Sequence, residues 1–373
     1  RIESFQGGPR ALEAAQKAVA ADPTFAFGHD LVAVNTPPAQ NKPLFEKAAE
    51  LAKGASEAER RYMEAHALNR AQKGAEALEA YKKLAADYPD ERMVHMMIGQ
   101  IATGQGHLDL ARAAYEKAMT LDAGTPRVHA LLANVHVLQN DYAGARRHFQ
   151  HALERQAAGT APGQIHFGLA LTYVYEGNVD QALATLRGFA DAYRQTAPPT
   201  GLPEVFIWNA MGRINLENGR LPEALAAYEK GFQSVPGSSL AERDKKIWEG
   251  RLHHGRGRTL ARMGKHEEAW KEADVVKKMI DEGGEDAKEF LPAYHYLAGY
   301  IKLEAGDAKA AVEHLKQADQ ADPFHKLLLA RAYEKVGDKE SARKAYEEVV
   351  ANRQPGLDRA LAYPEAKKRL ASL

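Results

Sequence analysis

Six histidines recur at comparable places in the chain, and they are the residues that most invite a chemical reading. His29, His95, His129, His166, His253 and His295 each stand four residues ahead of a small residue, namely Ala33, Gly99, Ala133, Ala170, Gly257 and Gly299. Trp208 holds the same place ahead of Gly212. Imidazoles in a column could carry a metal or a tetrapyrrole, or they could fill a half-buried slot and bond a neighbouring carbonyl or hydroxyl. Geometry favours the second use. Successive helices pack about 8–10 Å apart, whereas ligands that share a zinc stand about 2 Å from it. His148 and His151, three apart on one helix, offer two ligands without a third. A metal- or tetrapyrrole-binding helical protein is kept as the least favoured alternative.

Other chemistry finds less support. The chain has no Cys, which removes disulfides, thiolate metal sites, thiol catalysis and thioether haem attachment. Gly255 and Gly257 lack the third glycine of a dinucleotide loop. Asp281 to Glu289 lacks the glycine placement of a calcium loop. His266-Glu267-Glu268 is not followed by the second His of a zinc-protease helix. The expectation is therefore no enzyme, no catalytic residue, no cofactor and no metal. Lys+Arg and Asp+Glu both number 50 in 373 residues, so no net field draws the chain to nucleic acid. No run of about eighteen apolar residues marks a membrane span.

The elements that carry these residues follow from a period. Ala111, Tyr115 and Ala118 return 34 positions later as Ala145, Phe149 and Ala152, a repeat signature. In both directions the small residue recurs at Ala11, Ala77, Ala111, Ala145, Ala182, Ala224, Ala269, Ala311 and Ala342. Four residues after each stands Ala15, Tyr81, Tyr115, Phe149, Leu186, Tyr228, Ala273, Leu315 or Tyr346, on the same helical face. Pro23, Pro89, Pro236 and Pro323 close such helices twelve residues after the alanine. Small residues also mark the preceding helix, at Ala33, Ala65, Gly99, Ala133, Ala170, Gly212, Gly257, Gly299 and Ala330. Two helices with small side chains facing each other can approach closely, and each pair reads as one hairpin.

These residues resemble the tetratricopeptide repeat, with its small residues at the eighth and twentieth positions, aromatic at the twenty-fourth and proline at the thirty-second. The resemblance implies an all-α, right-handed solenoid of about nine helical hairpins with a C-terminal capping helix. It also implies a non-enzymatic scaffold that binds a peptide or partner protein in a concave groove. First-helix residues one and five beyond the Trp slot face that groove in the family. Here they yield Asn134, Phe167, Leu171, Asn209, Arg213, His254, Arg258, Tyr296 and Tyr300, with Tyr175, Glu217 and Arg262 further along. The groove so defined is apolar and aromatic at its flanks and basic at its centre, suited to an extended peptide with apolar anchors and an acidic residue. The family's carboxylate clamp is not reproduced, because Met96, Gln100 and Ala130 stand where polar grips are needed. The main alternative is a self-assembling subunit, a head-to-tail homo-oligomer or filament. Asp22 to Ala26, the start at Ser56, and Tyr88-Pro89-Asp90 resemble exported bacterial repeat proteins. With the absence of Cys and an opening at Arg1 rather than Met, they tilt the expected location to the periplasm or outside.

Departures from the period set the expected organisation. Residues 36–43 read as a loop inserted in the first hairpin, with its second helix from Leu44 to Lys53. Ser56 and Glu59 read as a capping box. Marker spacing widens from 34 to 45 in the middle units, which predicts longer helices there. A breaker-rich stretch at 195–203 is the expected hinge of one continuous solenoid, dividing an N-terminal array, 1–198, from a C-terminal array, 199–373. Residues 355–370 read as a capping helix broken at Pro364.

Overall fold

The computed structural model describes residues 9–122, 124–155, 163–196 and 202–373, without the side chains of 9–11, 194–196 and 202–203. The side chain of Ala11 therefore lies outside the described residues, as do 197–201 within the expected hinge. The chain falls into two compact units, Arg1–Gly124 and Thr125–Leu373. Among the described residues every regular element is helical.

Unit 1 holds α1 (Pro9–Ala21), α2 (Ala26–Val34), α3 (Pro38–Ala52), α4 (Glu57–Arg70), α5 (Gly74–Asp87), α6 (Arg92–Gln105) and α7 (Leu108–Leu121). Helices α2 and α3, α4 and α5, and α6 and α7 pack as hairpins. The loop expected at 36–43 is shorter than its composition suggested. Pro38 opens α3 at a first-turn position where no amide hydrogen is needed, and Pro43 is absorbed inside the helix. The capping box at the start of α4 is half made. Ser56 accepts a hydrogen bond from the Glu59 amide at 3.3 Å, but the Glu59 carboxylate accepts instead from the Phe27 amide of α2 at 3.1 Å. Asp30 of α2 is 1% exposed. It is compensated by Arg70 at 2.6 Å and His66 at 2.7 Å, both on α4.

Unit 2 runs through α8 (Pro126–Leu138), α9 (Tyr142–Glu154), α10 (Gly163–Tyr175), α11 (Val179–Thr196), α12 (Leu202–Glu217) and α13 (Leu221–Gln233). It continues with α14 (Glu242–Arg262), α15 (His266–Glu282), a 3-10 turn at Glu285–Phe290, α16 (Leu291–Glu304), α17 (Ala308–Leu315), α18 (Pro323–Val336), α19 (Lys339–Ala351) and α20 (Leu357–Leu370). Each even-numbered helix from α8 to α18 packs on the odd-numbered helix after it. The widened spacing shows as α14, 21 residues long, and α15, 17 residues long.

The small markers do what their period implied. Ala77, Ala111, Ala145, Ala182, Ala224, Ala269, Ala311 and Ala342 are all 0% exposed. The bulkier residue four on is clamped by glycines and alanines. A Cβ at Gly99 would meet the Tyr115 ring at 2.5 Å, one at Gly212 the Tyr228 ring at 2.9 Å, and one at Gly299 the Leu315 side chain at 2.6 Å. The next first helix repeats the contact: a Cβ at Gly168 would meet Phe149 at 2.3 Å and one at Gly255 would meet Tyr228 at 2.7 Å. Burying each such aromatic contributes about 1.5–3 kcal/mol. The turn inside each hairpin from α4–α5 onward has its own marker. Gln72, Gly106, Asn140, Gly177, Gly219, Gly264, Gly306 and Gly337 all have positive φ, and each stands five residues before a marker alanine. That left-handed residue ends the first helix and reverses the chain.

Helix α20 departs from expectation. It is continuous through Pro364, and it packs on α10 and α12 as well as on α18 and α19. The expected cap over the last hairpin is also the piece that closes unit 2 on itself. Ala360, Ala362 and Ala366 lie against the helices it touches, fully or nearly fully buried.

Candidate functional site

Unit 2 encloses a cavity of 1780 Å³ along its first helices. Nine of the twelve groove residues expected from the sequence line it: Asn134 on α8, Phe167, Leu171 and Tyr175 on α10, Asn209 and Arg213 on α12, His254 and Arg258 on α14, and Tyr296 on α16. Glu217, Arg262 and Tyr300 do not. They sit behind the wall in a closed polar network. The Glu217 carboxylate lies 3.6 Å from Arg262 and 4.0 Å from Arg258, and accepts from the Tyr300 hydroxyl at 3.4 Å. Burial raises the Glu217 carboxyl above its usual range, and Arg258 and Arg213 oppose the shift.

The basic centre of the groove is largely buried by internal contacts. Arg258 is 5% exposed; it donates to the Tyr296 hydroxyl at 2.8 Å and to the Tyr228 hydroxyl at 3.4 Å. Burial and then the Arg258 charge hold His254 well below its ordinary value, so it is a neutral ring here, bonded to the Ala293 carbonyl at 3.0 Å. Buried polar groups find internal partners because an unmade bond there costs about 1–3 kcal/mol.

Two walls remain distinct. The apolar wall is built by Phe167, Phe189 and Phe206 on α10 to α12, and by Ile247, Met279 and Phe290 on the elements that follow. Phe167 packs edge-on to Phe206 at 4.8 Å between centroids, and Phe206 is 48% exposed. The polar wall holds Arg213, Lys246, Arg251, His325 and two acids, Asp322 and Asp358. Asp358 comes from α20 and pairs with Arg213. Burial works against the Arg213 charge, but Asp358, Tyr296, Asp322 and Glu217 together more than offset it and the guanidinium is held well above its ordinary range. The neighbouring Arg359 donates to the Tyr175 hydroxyl at 3.0 Å and stacks on Tyr363 at 4.1 Å.

Sequence reasoning missed Lys246, Arg251, Phe206 and Asp358. Lys246 sits on the added N-terminal turns of α14, for which the 45-residue spacing was the available signal, whereas Phe206 and Arg251 stand two residues ahead of the Trp208 and His253 slots, a repeat position not counted in the expected groove. The histidine column resolves into local pairs. His29 and His95 bond the carbonyls of Pro23 and Pro89 at 2.9 and 2.8 Å. Three others reach 19 residues on: His129 to His148 at 3.2 Å, His253 to Glu272 at 2.5 Å, and His295 to His314 at 3.0 Å. His166 stacks on Phe189 at 4.5 Å. Among the described residues no three His, Asp or Glu gather as metal ligands.

Family models described as tetratricopeptide repeat match residues 62–126, 102–164, 167–239, 292–325 and 326–354, together more than half of the chain. The chain belongs to the tetratricopeptide repeat family. Among solved structures it is similar to a tetratricopeptide repeat protein from Parabacteroides merdae, at 16% identity over 74% of this chain and 98% of that one, with a TM-score of 0.53. It is also similar to the quorum sensor NprR from B. thuringiensis in its apo form, at 14% identity over 88% of this chain and 98% of that one, with a TM-score of 0.50. At these identities the likeness is one of fold. No curated protein matches the sequence. Tetratricopeptide repeat arrays are typically non-enzymatic scaffolds for protein–protein interaction, and no helix is long and apolar enough to cross a membrane among the described residues.

Proposed function

We propose that this tetratricopeptide repeat protein is a non-enzymatic scaffold that holds a peptide, or an extended segment of a partner protein, in the cavity of unit 2. The observation that carries the reading is the cavity itself. At 1780 Å³ it exceeds the roughly 300–1,000 Å³ of small-molecule pockets, and it runs along the successive first helices, so its dimensions suit several residues of chain. Its apolar wall supplies anchoring surface, and Phe206 stands ready to be covered. The equal counts of acidic and basic residues support a protein partner over nucleic acid. Self-assembly through the C-terminal helix gains no support, because the apolar face of α20 is spent within its own unit.

The test is selection of a random heptapeptide display library on the full chain, followed by fluorescence anisotropy of the selected peptides, synthesised with both ends blocked. Phe206→Ser should weaken them at least tenfold while circular dichroism and oligomeric state stay unchanged. Undiminished affinity in that variant, or no peptide selected above background, would place the partner surface elsewhere.

A further inference from the structure

Two arginines at the cavity wall of unit 2 are incompletely matched by acids. Arg331 is matched by Glu365, Arg258 and Arg262 share Glu217, and Arg213 takes Asp358 through Nη1 alone, leaving Nε and Nη2 buried without a hydrogen-bond partner. Arg251, next along the wall on α14, has no acid within ion-pairing distance among the described residues. Its guanidinium lies on the Trp248 ring at 4.7 Å, and its side chain lines the cavity. Arg251 stays exposed to solvent where it lines the cavity, and the nearby protein, together with Arg213, pulls its affinity for a proton below the ordinary range against the help of Asp358. The other acids at this wall are committed or peripheral. Asp322 caps α18 by accepting from the Phe324 and His325 amides, Glu242 pairs with Lys245, and Glu249 is exposed on the cavity rim.

Arg213, largely buried and bonded to its one carboxylate through a single nitrogen, is only half compensated for its desolvation, and a second carboxylate completes it through charge-assisted, bidentate bonds. The placement along the wall says which kind. Arg213 and Arg251 stand on consecutive first helices, with Phe167 on α10 and Phe206 earlier on α12 to one side and Met279 and Phe290 on the elements after α14 to the other. Apolar surface on both sides suits a side-chain carboxylate within a peptide rather than one at its end.

We propose that Arg213 and Arg251 form a carboxylate subsite that selects an internal Asp or Glu, flanked on both sides by apolar residues, in the peptide bound by unit 2. The inference rests on the peptide-scaffold reading and adds the chemistry that specifies the guest. In the same heptapeptide selection, peptides enriched on the full chain should carry an acid between apolar residues. Selection on Arg251→Met, which keeps the stack on Trp248, should keep the apolar preference and lose the acidic one. For the best peptide with both ends blocked, replacing the acid by its amide should weaken binding about tenfold on the full chain and less than twofold on Arg251→Met. A free C-terminus should add nothing. Enrichment without acids, or an acid preference that survives Arg251→Met, overturns the subsite while leaving the scaffold reading intact. An acid preference met only by a free C-terminus overturns the internal placement, and failure to select any peptide overturns both readings.

Discussion

The nested small residues make a prediction whose sign changes between two glycines of the same chemical kind. Gly255 lies inside α14, and a Cβ there would meet Tyr228 ring carbons at 2.7–2.8 Å; the same ring carbons stand 2.9–3.0 Å from a Cβ at Gly212 on α12. Tyr228 is 2% exposed and its hydroxyl accepts from Arg258, so the ring cannot step aside without pressing on one helix or losing that bond. Overpacking of this kind costs about 1–3 kcal/mol, and the better helix propensity of alanine returns about 1 kcal/mol. With the ring held between two helices, Gly255→Ala should destabilise unit 2 by about 1–2 kcal/mol. Gly188 lies inside α11 with nothing within 4 Å of its Cβ position, so Gly188→Ala gains the propensity term alone and should stabilise by about 0.5–1 kcal/mol. Urea unfolding followed by circular dichroism reads both as midpoint shifts, and cutting the ring back with Tyr228→Leu should recover part of the Gly255→Ala loss as a coupling of about 0.5–3 kcal/mol. Midpoints that move in the same direction for the two glycine variants would refute the packing argument.

Acidification should destabilise unit 2 through its imidazoles. Burial, then His136 and His129, lowers His148 to about 4, and His254, His295 and His314 shift in the same direction. Each binds a proton more readily unfolded than folded, so stability present above about pH 6.5 is lost as pH falls toward 4; melting temperatures across that window should fall, and His148→Gln should flatten the slope. Arg359→Met removes the bond to Tyr175 and the stack on Tyr363 and should loosen α20 by about 1–3 kcal/mol. Limited proteolysis should then cleave first beyond Asn352, and an unchanged digestion pattern would show that α20 is held by its alanine face instead.

The hairpins were legible because the feature that specifies them is local. A small residue, a bulky one four later and a reversal between helices all fall within one period, and each contact that results is between neighbours in the chain. The left-handed turn residue five before each alanine was equally periodic, but Gln72 and Asn140 stand where the other repeats have glycine, and this hid it. Glu59 was misjudged because its carboxylate had a better partner on another helix, the Phe27 amide, than the backbone of its own cap. The groove positions were legible as a set since they repeat with the helices, but their state was not. Whether Arg258 faces water or Tyr296 depends on how closely α14 and α16 approach, and nothing in one helix records that. Lys246 was missed because it lies on a turn that the repeat does not contain, and Arg251 because its repeat position, two ahead of His253, was not counted with the groove.

Helix α20 is the element for which local reading fails most completely, and it is also the one that shapes the cavity. Arg359 meets Tyr175 across 184 residues of sequence, a contact that exists only after the intervening hairpins have been stacked. Its neighbour Asp358 draws on the same guanidinium that a guest carboxylate would use. Docking of α20 and occupation of the cavity are therefore linked through Arg213, and such a linkage is reciprocal: whatever the guest takes from Arg213 weakens the hold on α20, and whatever secures α20 lowers the guest's share. Arg251 makes no direct pair with Asp358, which supports its charge only at longer range. A guest carboxylate that takes the Nε and Nη2 edge of Arg213 can be held with the C-terminal helix in place, and one that takes Nη1 must displace it.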